Sequence, residues 1–237
     1  MFETSEVSRI KRFAANTAGK DFAVGDIHGF FTRLQAALDA AGFDPAVDRL
    51  FSVGDLIDRG PESEAVIDWL AKPWFHAVQG DHEDMAIRQT QAGRRDTTNY
   101  RQNGGAWFLA LDWDRQQEIV VVLRDLPIAI EVETAKGLVA IAHADCPAQS
   151  WNMLRECLEG RAPGLQYVIE GCQWSRDRII NGNAAGVTDV RAVVVGHTPL
   201  REPLVLGNVH HIDTGGWKDD GYFTLLDLAT LKPLNPA

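Results

Sequence analysis

Three times in its first 81 residues the chain runs apolar, stops on Gly-Asp and turns into a stretch of helical character. Phe22-Ala23-Val24 leads into Gly25-Asp26, Leu50-Phe51-Ser52-Val53 into Gly54-Asp55, and Phe75-His76-Ala77-Val78-Gln79 into Gly80-Asp81. The aspartates stand 29 and 26 residues apart, about the length of one strand–helix unit. Strand, tight turn and helix in repetition restrict the chain to an α/β fold with parallel strands. In such sheets ligands bind beyond the carboxyl ends of the strands, where all three turns converge.

The intervening helices follow from periodicity. Phe31, Leu34, Ala37, Leu38 and Ala41 share one helix face, and Gly42 stands where a terminal glycine cap belongs. Pro61 is expected to open the second helix, with Glu62 and Glu64 at its positive end and Val66, Ile67 and Leu70 inward. Glu83 is expected to start a third. Past Gln91 the pattern weakens, and residues 93–105 read as a polar surface excursion. Residues 114–125 and 151–158 read as helices, and 128–132 with 138–141 as a hairpin. Strands are expected at 193–195, 204–206, 209–212 and 222–228, a late run that suggests a second sheet packed on the first.

At 237 residues with 45% hydrophobic side chains, the chain reads as one domain over 1–237, with its motifs within about 21–228. Lys and Arg total 23 against 33 Asp and Glu, a formal net charge of −10. That balance weighs against nucleic-acid binding, which depends on basic side chains neutralising phosphates. Glu3, Glu6, Arg9, Lys11 and Arg12 interrupt the amino-terminal segment, and the longest strongly apolar run is residues 119–123. No secretory signal or membrane span is expected, so the protein is read as soluble and cytoplasmic. Cys146, Cys157 and Cys172 are too scattered for a disulfide framework and form no CxxC pair.

The chemistry-bearing residues all follow apolar strands. Asp26 and His28 stand at i and i+2, which places them on one side of extended backbone. Asp55 ends the next strand, Asp81-His82 the third, His143 follows residues 138–142 and His197 follows Val193-Val194-Val195-Gly196. Six carboxylate and imidazole ligands exceed the need of one tetrahedral ion and suit two ions sharing a bridging carboxylate. His76, His210 and His211 lie inside strands and read as structural.

The motifs GDIHG (25–29), GDLIDRG (54–60), GDHE (80–83), the strand-end His143 and GHT (196–198) resemble those of phosphoprotein phosphatase-type metallophosphoesterases, the calcineurin-like enzymes. HADCP (143–147), WSRDRI (174–179) and IDTG (212–215) are similar to the bacterial branch typified by bacteriophage lambda protein phosphatase. The resemblance implies a central β-sandwich of two mixed sheets flanked by helices. It implies two divalent ions, manganese first and iron or zinc as alternatives, and a phosphoprotein or phosphopeptide substrate carrying phosphoserine, phosphothreonine or phosphotyrosine. Asp26 and His28 would hold one ion, Asp55 would bridge, and Asp81, His143 and His197 would hold the other. His82 would be the general acid, oriented by Asp58, with Arg59 and Arg176 on the phosphate. A hydroxide bridging the ions would attack phosphorus in line.

Two alternatives accompany this reading. One is a symmetrical dinucleoside tetraphosphatase, whose second motif has Ala-Arg-Gly where this chain has Asp58-Arg59-Gly60. The other is a catalytically weakened phosphoprotein-binding regulator, because Asp81 replaces the asparagine of the family's usual GNHE.

Overall fold

The computed structural model describes residues 8–93 and 95–234. Two sheets form the centre. The first joins β1 (Ile10–Phe13), β5 (Ala129–Thr134), β6 (Gly137–Ile141), β7 (Ala192–Val195), β9 (Val209–His211) and β8 (Leu204–Leu206), in that order. The second joins β11 (Lys232–Pro233), β10 (Leu225–Asp227), β2 (Asp21–Val24), β3 (Arg49–Ser52) and β4 (Phe75–Ala77). Each sheet mixes parallel and antiparallel pairs, and β2, β3 and β4 run parallel as the Gly-Asp repeats require.

The period-two alternation of strand side chains separates the layers. Ala23, Phe51, Val139, Ile141 and Val194 point between the sheets and pack there with Ile130, Val132 and Leu226. Their neighbours turn outward: Phe22, Val24 and Leu50 meet helices α1 (Phe31–Ala40), α2 (Val66–Leu70), α3 (Asp81–Gln89) and α6 (Trp113–Arg124). Ala140, Val193 and Val195 meet α7 (Trp151–Leu158) and α8 (Leu165–Trp174) on the opposite side. The result is the expected sandwich of two mixed sheets flanked by helices.

Several expected elements differ from those observed. Pro61 does not open the second helix, which begins as a 3-10 turn at Ser63–Ala65. The Glu62 carboxylate instead accepts from the Thr32 backbone N–H at 2.7 Å, and its own N–H donates to Gly29, tying this segment to the start of α1. The third helix begins at Asp81, two residues early, because the Glu83 carboxylate folds back to accept the Gly80 N–H at 2.8 Å. Residues 93–105 are not merely a surface excursion. They contain α4 (Thr97–Gln102), which buries Tyr100 completely, and lead into α5 (Ala106–Ala110). No helix among the described residues is long and apolar enough to cross a membrane. All three cysteines are free thiols.

Candidate metal centre

Asp26 and His28 follow β2, Asp55 follows β3, Asp81 and His82 follow β4, His143 follows β6 and His197 follows β7. The carboxyl ends of both sheets therefore open onto one place. The backbone there is bent hard: His28, Asp55, Asp58, Arg59 and His197 have φ of 47°, 50°, 72°, 66° and 68°. Such left-handed conformations cost non-glycine residues free energy and persist where the surroundings enforce them, characteristically at functional sites. Packing is equally tight. A Cβ on Gly80 would overlap the Asp55 carboxylate, so only glycine lets the third turn approach the second.

Two groups of donor atoms converge. Asp55, Asp81, His143 and His197 form one, and His28, Asp55 and His82 form the other, the atoms of each lying within 4.8 Å of one another. Asp55 belongs to both. Asp81 Oδ1 lies 2.9 Å from His143 Nε2 and 2.9 Å from His197 Nδ1, and those two nitrogens are 3.1 Å apart. On the other side, His28 Nε2 is 3.5 Å from Asp55 Oδ2 and 4.0 Å from Asp26 Oδ2. Asp26 sits one step back, its Oδ1 accepting from the His197 backbone N–H at 3.0 Å.

Hydrogen bonds behind these side chains set their orientation. His28 Nδ1 donates to the Ile57 carbonyl at 3.0 Å, and His143 Nδ1 donates to the Val53 carbonyl at 2.7 Å. Each imidazole thereby turns Nε2 into the cluster, the arrangement typical of ligating histidines. The Glu83 carboxylate, fully buried, accepts from the N–H groups of Asp55, Leu56 and Gly80 at 2.8–2.9 Å and clamps two turns together.

The electrostatics are those of crowded carboxylates. Burial, with Asp213 and Asp55 nearby, pushes Asp26 well above the ordinary carboxylate range. Burial together with Asp81 and Glu83 does the same to Asp55. Burial opposes ionisation of Asp81 too, but hydrogen bonds to His143 and His197 outweigh it and hold Asp81 well below its usual value. Burial likewise disfavours a charged His143, yet Asp81 and Asp26 prevail and raise it to about 9. Asp213 Oδ2 and His197 Nε2 are buried with no hydrogen-bond partner among the described residues. Unpartnered acceptors and like charges at this depth are costly unless a cation meets them. The mixed oxygen and imidazole set therefore fits divalent metal ions.

Beside the cluster, His82 Nδ1 donates to Asp58 Oδ2 at 2.7 Å, which leaves His82 Nε2 facing the site. Asp58 is fully buried, and its other oxygen accepts from Tyr100 Oη at 3.0 Å and Trp107 Nε1 at 2.7 Å. Arg59 donates from Nη1 to His28 Nε2 at 2.5 Å and from Nη2 to His82 Nε2 at 3.1 Å. Arg176 is exposed at the start of α9 (Asp177–Ile180) and makes no side-chain hydrogen bond among the described residues. Its charge nevertheless reaches His197. The neighbouring Arg178 is buried and donates to Asp145 Oδ1 at 2.6 Å, bracing the segment after His143 against α9.

His76 and His211 lie apart from the cluster. His76 packs against the rings of Phe13 and Phe51, and burial lowers both histidines to about 4. Tyr100, Trp107, Asp213 and Trp217 line or support the site without having been singled out in the sequence. Only Asp213 stood in a recognised motif, IDTG.

"Serine/threonine-protein phosphatase 1" of Salmonella typhimurium is 38% identical over 197 residues, 82% of this chain and 85% of that protein. "Bis(5'-nucleosyl)-tetraphosphatase, symmetrical" of Pseudomonas putida is 29% identical over 195 residues, 76% of this chain and 63% of that protein. In fold, the chain is similar to the crystal structure of a cold-active protein-tyrosine phosphatase of a psychrophilic Shewanella. The TM-score there is 0.59 at 17% identity, over 95% of this chain and 80% of the other. The calcineurin-like phosphoesterase family matches residues 22–201, a span that holds every residue of the convergent cluster, and the chain belongs to that family of metal-dependent hydrolases.

Proposed function

We propose that this chain is a protein phosphatase that uses two divalent ions to hydrolyse phosphoserine and phosphothreonine, and phosphotyrosine as well, in protein substrates. The observation that carries the reading is the buried Asp58–His82 pair, at 2.7 Å, beside the metal-type cluster. A serine or threonine alkoxide leaves poorly without a proton, and a positioned acid contributes roughly 10²–10⁴-fold. The Asp58 carboxylate accepts from Nδ1 and so fixes the tautomer that turns Nε2 to the substrate.

Asp26 and His28 would hold one ion, Asp81, His143 and His197 the other, and Asp55 both. Two such cations, manganese being our choice, supply Lewis acidity that neutralises phosphate charge and acidifies water. Arg59 and Arg176 bind the phosphoryl oxygens through their planar guanidinium groups. His82 Nε2 gives its proton to the departing serine or threonine oxygen. Free thiols and the lack of a spanning helix among the described residues support work in the cytoplasm.

The Salmonella relative supports this substrate class, and the tetraphosphatase is the competing one. Phosphoserine peptide and diadenosine tetraphosphate offered to the manganese-loaded protein separate them. The peptide is expected to be preferred in kcat/KM; a large preference for the dinucleotide overturns the reading.

A further inference from the structure

The residue after Gly216 is a tryptophan that the metal cluster does not need, yet its ring lies against two of the site's side chains. The Arg59 guanidinium carbon sits 4.3 Å from the centroid of the Trp217 ring. His28 meets the same ring edge-on, with centroids 4.9 Å apart and planes at 79°. Trp217 Nε1 is buried and has no hydrogen-bond partner among the described residues. A tryptophan kept only for packing normally satisfies that donor when buried.

The loop is built to present this ring. Gly215 takes φ +66°, and the Lys218 N–H closes a turn on the Gly215 carbonyl at 2.7 Å. A Cβ on Gly216 would overlap the Phe223 ring, which fixes the course of the chain just before Trp217. Arg33, from α1, donates to the Lys218 carbonyl at 2.6 Å and to the Gly221 carbonyl at 2.5 Å, latching the far side of the turn.

The charge of Arg59 reaches Asp55, but no carboxylate among the described residues forms a salt bridge with it; its hydrogen bonds go to the imidazoles of His28 and His82. The first of those acceptors is the wrong one to rely on in the loaded protein. A lone pair that His28 gives to an ion is lost to Arg59. The indole face is a contact that does not depend on that lone pair. We propose that Trp217 is the positioning residue for Arg59: it holds the guanidinium flat by a cation–π stack, with its fork turned to the phosphoryl oxygens. This rests on the reading above that Arg59 binds phosphate. Lys218 Nζ, 4.8 Å from the centroid of the same ring, adds a second cation to this wall.

Calorimetric titration of inorganic phosphate into the manganese-loaded protein tests the stack without relying on turnover. Trp217→Ala is expected to weaken phosphate about three- to tenfold, the range of a partly desolvated cation–π contact. Trp217→Phe, which keeps an aromatic face, is expected to restore most of the affinity. In an Arg59→Ala background, Trp217→Ala is expected to add nothing further. Native-like phosphate affinity in Trp217→Ala, while Arg59→Ala binds weakly, overturns the inference and leaves Arg59 as a phosphate ligand. An undiminished Trp217→Ala effect in the Arg59→Ala background overturns it as well. Native-like affinity in Arg59→Ala itself instead overturns the reading on which the inference rests. Manganese stoichiometry, measured on each variant, separates loss of phosphate contact from loss of metal.

Discussion

At Asp81 the chain departs from the usual GNHE motif by a single side chain. An asparagine in its place would offer a carbonyl oxygen to an ion and NH₂ donors to the phosphate, whereas an ionised aspartate offers acceptors alone. The structure places Asp81 Oδ1 between His143 and His197, and those contacts keep it ionised. Its charge stands near an anionic substrate in a buried site where screening is poor. Asp81→Asn is therefore expected to raise turnover of phosphopeptide about tenfold and to lower KM, a gain worth about 1.4 kcal/mol at the transition state. Steady-state kinetics check it; a slower Asp81→Asn enzyme would make the aspartate an adapted ligand. The same contact governs proton linkage. His143 is raised to about 9, so the ion pair stabilises the metal-free fold below the ordinary imidazole value and is lost as pH rises through about 9. Asp81 is lowered, so its contribution is present above the ordinary carboxylate value and lost only as pH falls well below it. An incoming ion must displace the His143 proton. Manganese titrated near neutral pH in two buffers of different ionisation enthalpy is expected to release at least about one proton per chain, that of His143, together with any held by Asp26 and Asp55, which burial also pushes up. Release of none contradicts the assignment.

Among the elements, α4 and α5 show what sequence patterns miss. Thr97–Gln102 is polar apart from Tyr100, so it has no apolar stripe by which to announce a helix. Its reason for existing is tertiary: Tyr100 and, from α5, Trp107 converge on Asp58. The strand–Gly-Asp–helix units were legible because turn, cap and apolar face are all local. Residues 151–158 were legible for the same reason, and Ser150 caps that helix by accepting the Met153 N–H. Motif spacing singled out Asp26, His28, Asp55, Asp81, His143 and His197, and the structure brings all of these but Asp26 into the two donor groups. Their supports were not legible, because Tyr100, Trp107 and Trp217 reach the site by folds of the chain that no short window contains. The consequence for α4 and α5 is testable. Tyr100→Phe and Trp107→Phe each remove a donor from a buried carboxylate, at about 1.5–3 kcal/mol for a charged hydrogen bond. Both variants are expected to lose activity on phosphoserine peptide more than on p-nitrophenyl phosphate, whose leaving group departs unprotonated. Equal losses on the two substrates would mean that Asp58 does not act through His82.

For the whole molecule, two sheets with helices on both outer faces leave the metal-type cluster at one rim rather than in the core. The inter-sheet core and both helix-covered cores are complete without it. Chelation should therefore weaken the fold without abolishing it, unlike a small domain organised around zinc. A ligand at one hundred times its Kd adds about 2.7 kcal/mol. In a chain of this size that corresponds to a rise in Tm of about 5–10 °C, measurable by scanning calorimetry with and without manganese. The order of the strands was beyond any local reading. β1 pairs with β5, Ile10 opposite Ala129, across more than a hundred residues, and its sequence IKRF is too charged and short to declare a partner. The late strands were visible as apolar runs, but which sheet each joins is decided by packing.

A two-ion centre of this kind requires one carboxylate, Asp55, to serve both ions. The most direct measurement is isothermal titration of manganese into the native protein and into Asp55→Ala, with bound metal counted by elemental analysis. Two ions per native chain and loss of two-ion occupancy in Asp55→Ala are expected. Two intact sites in Asp55→Ala, or a single site in the native protein, would contradict the shared centre.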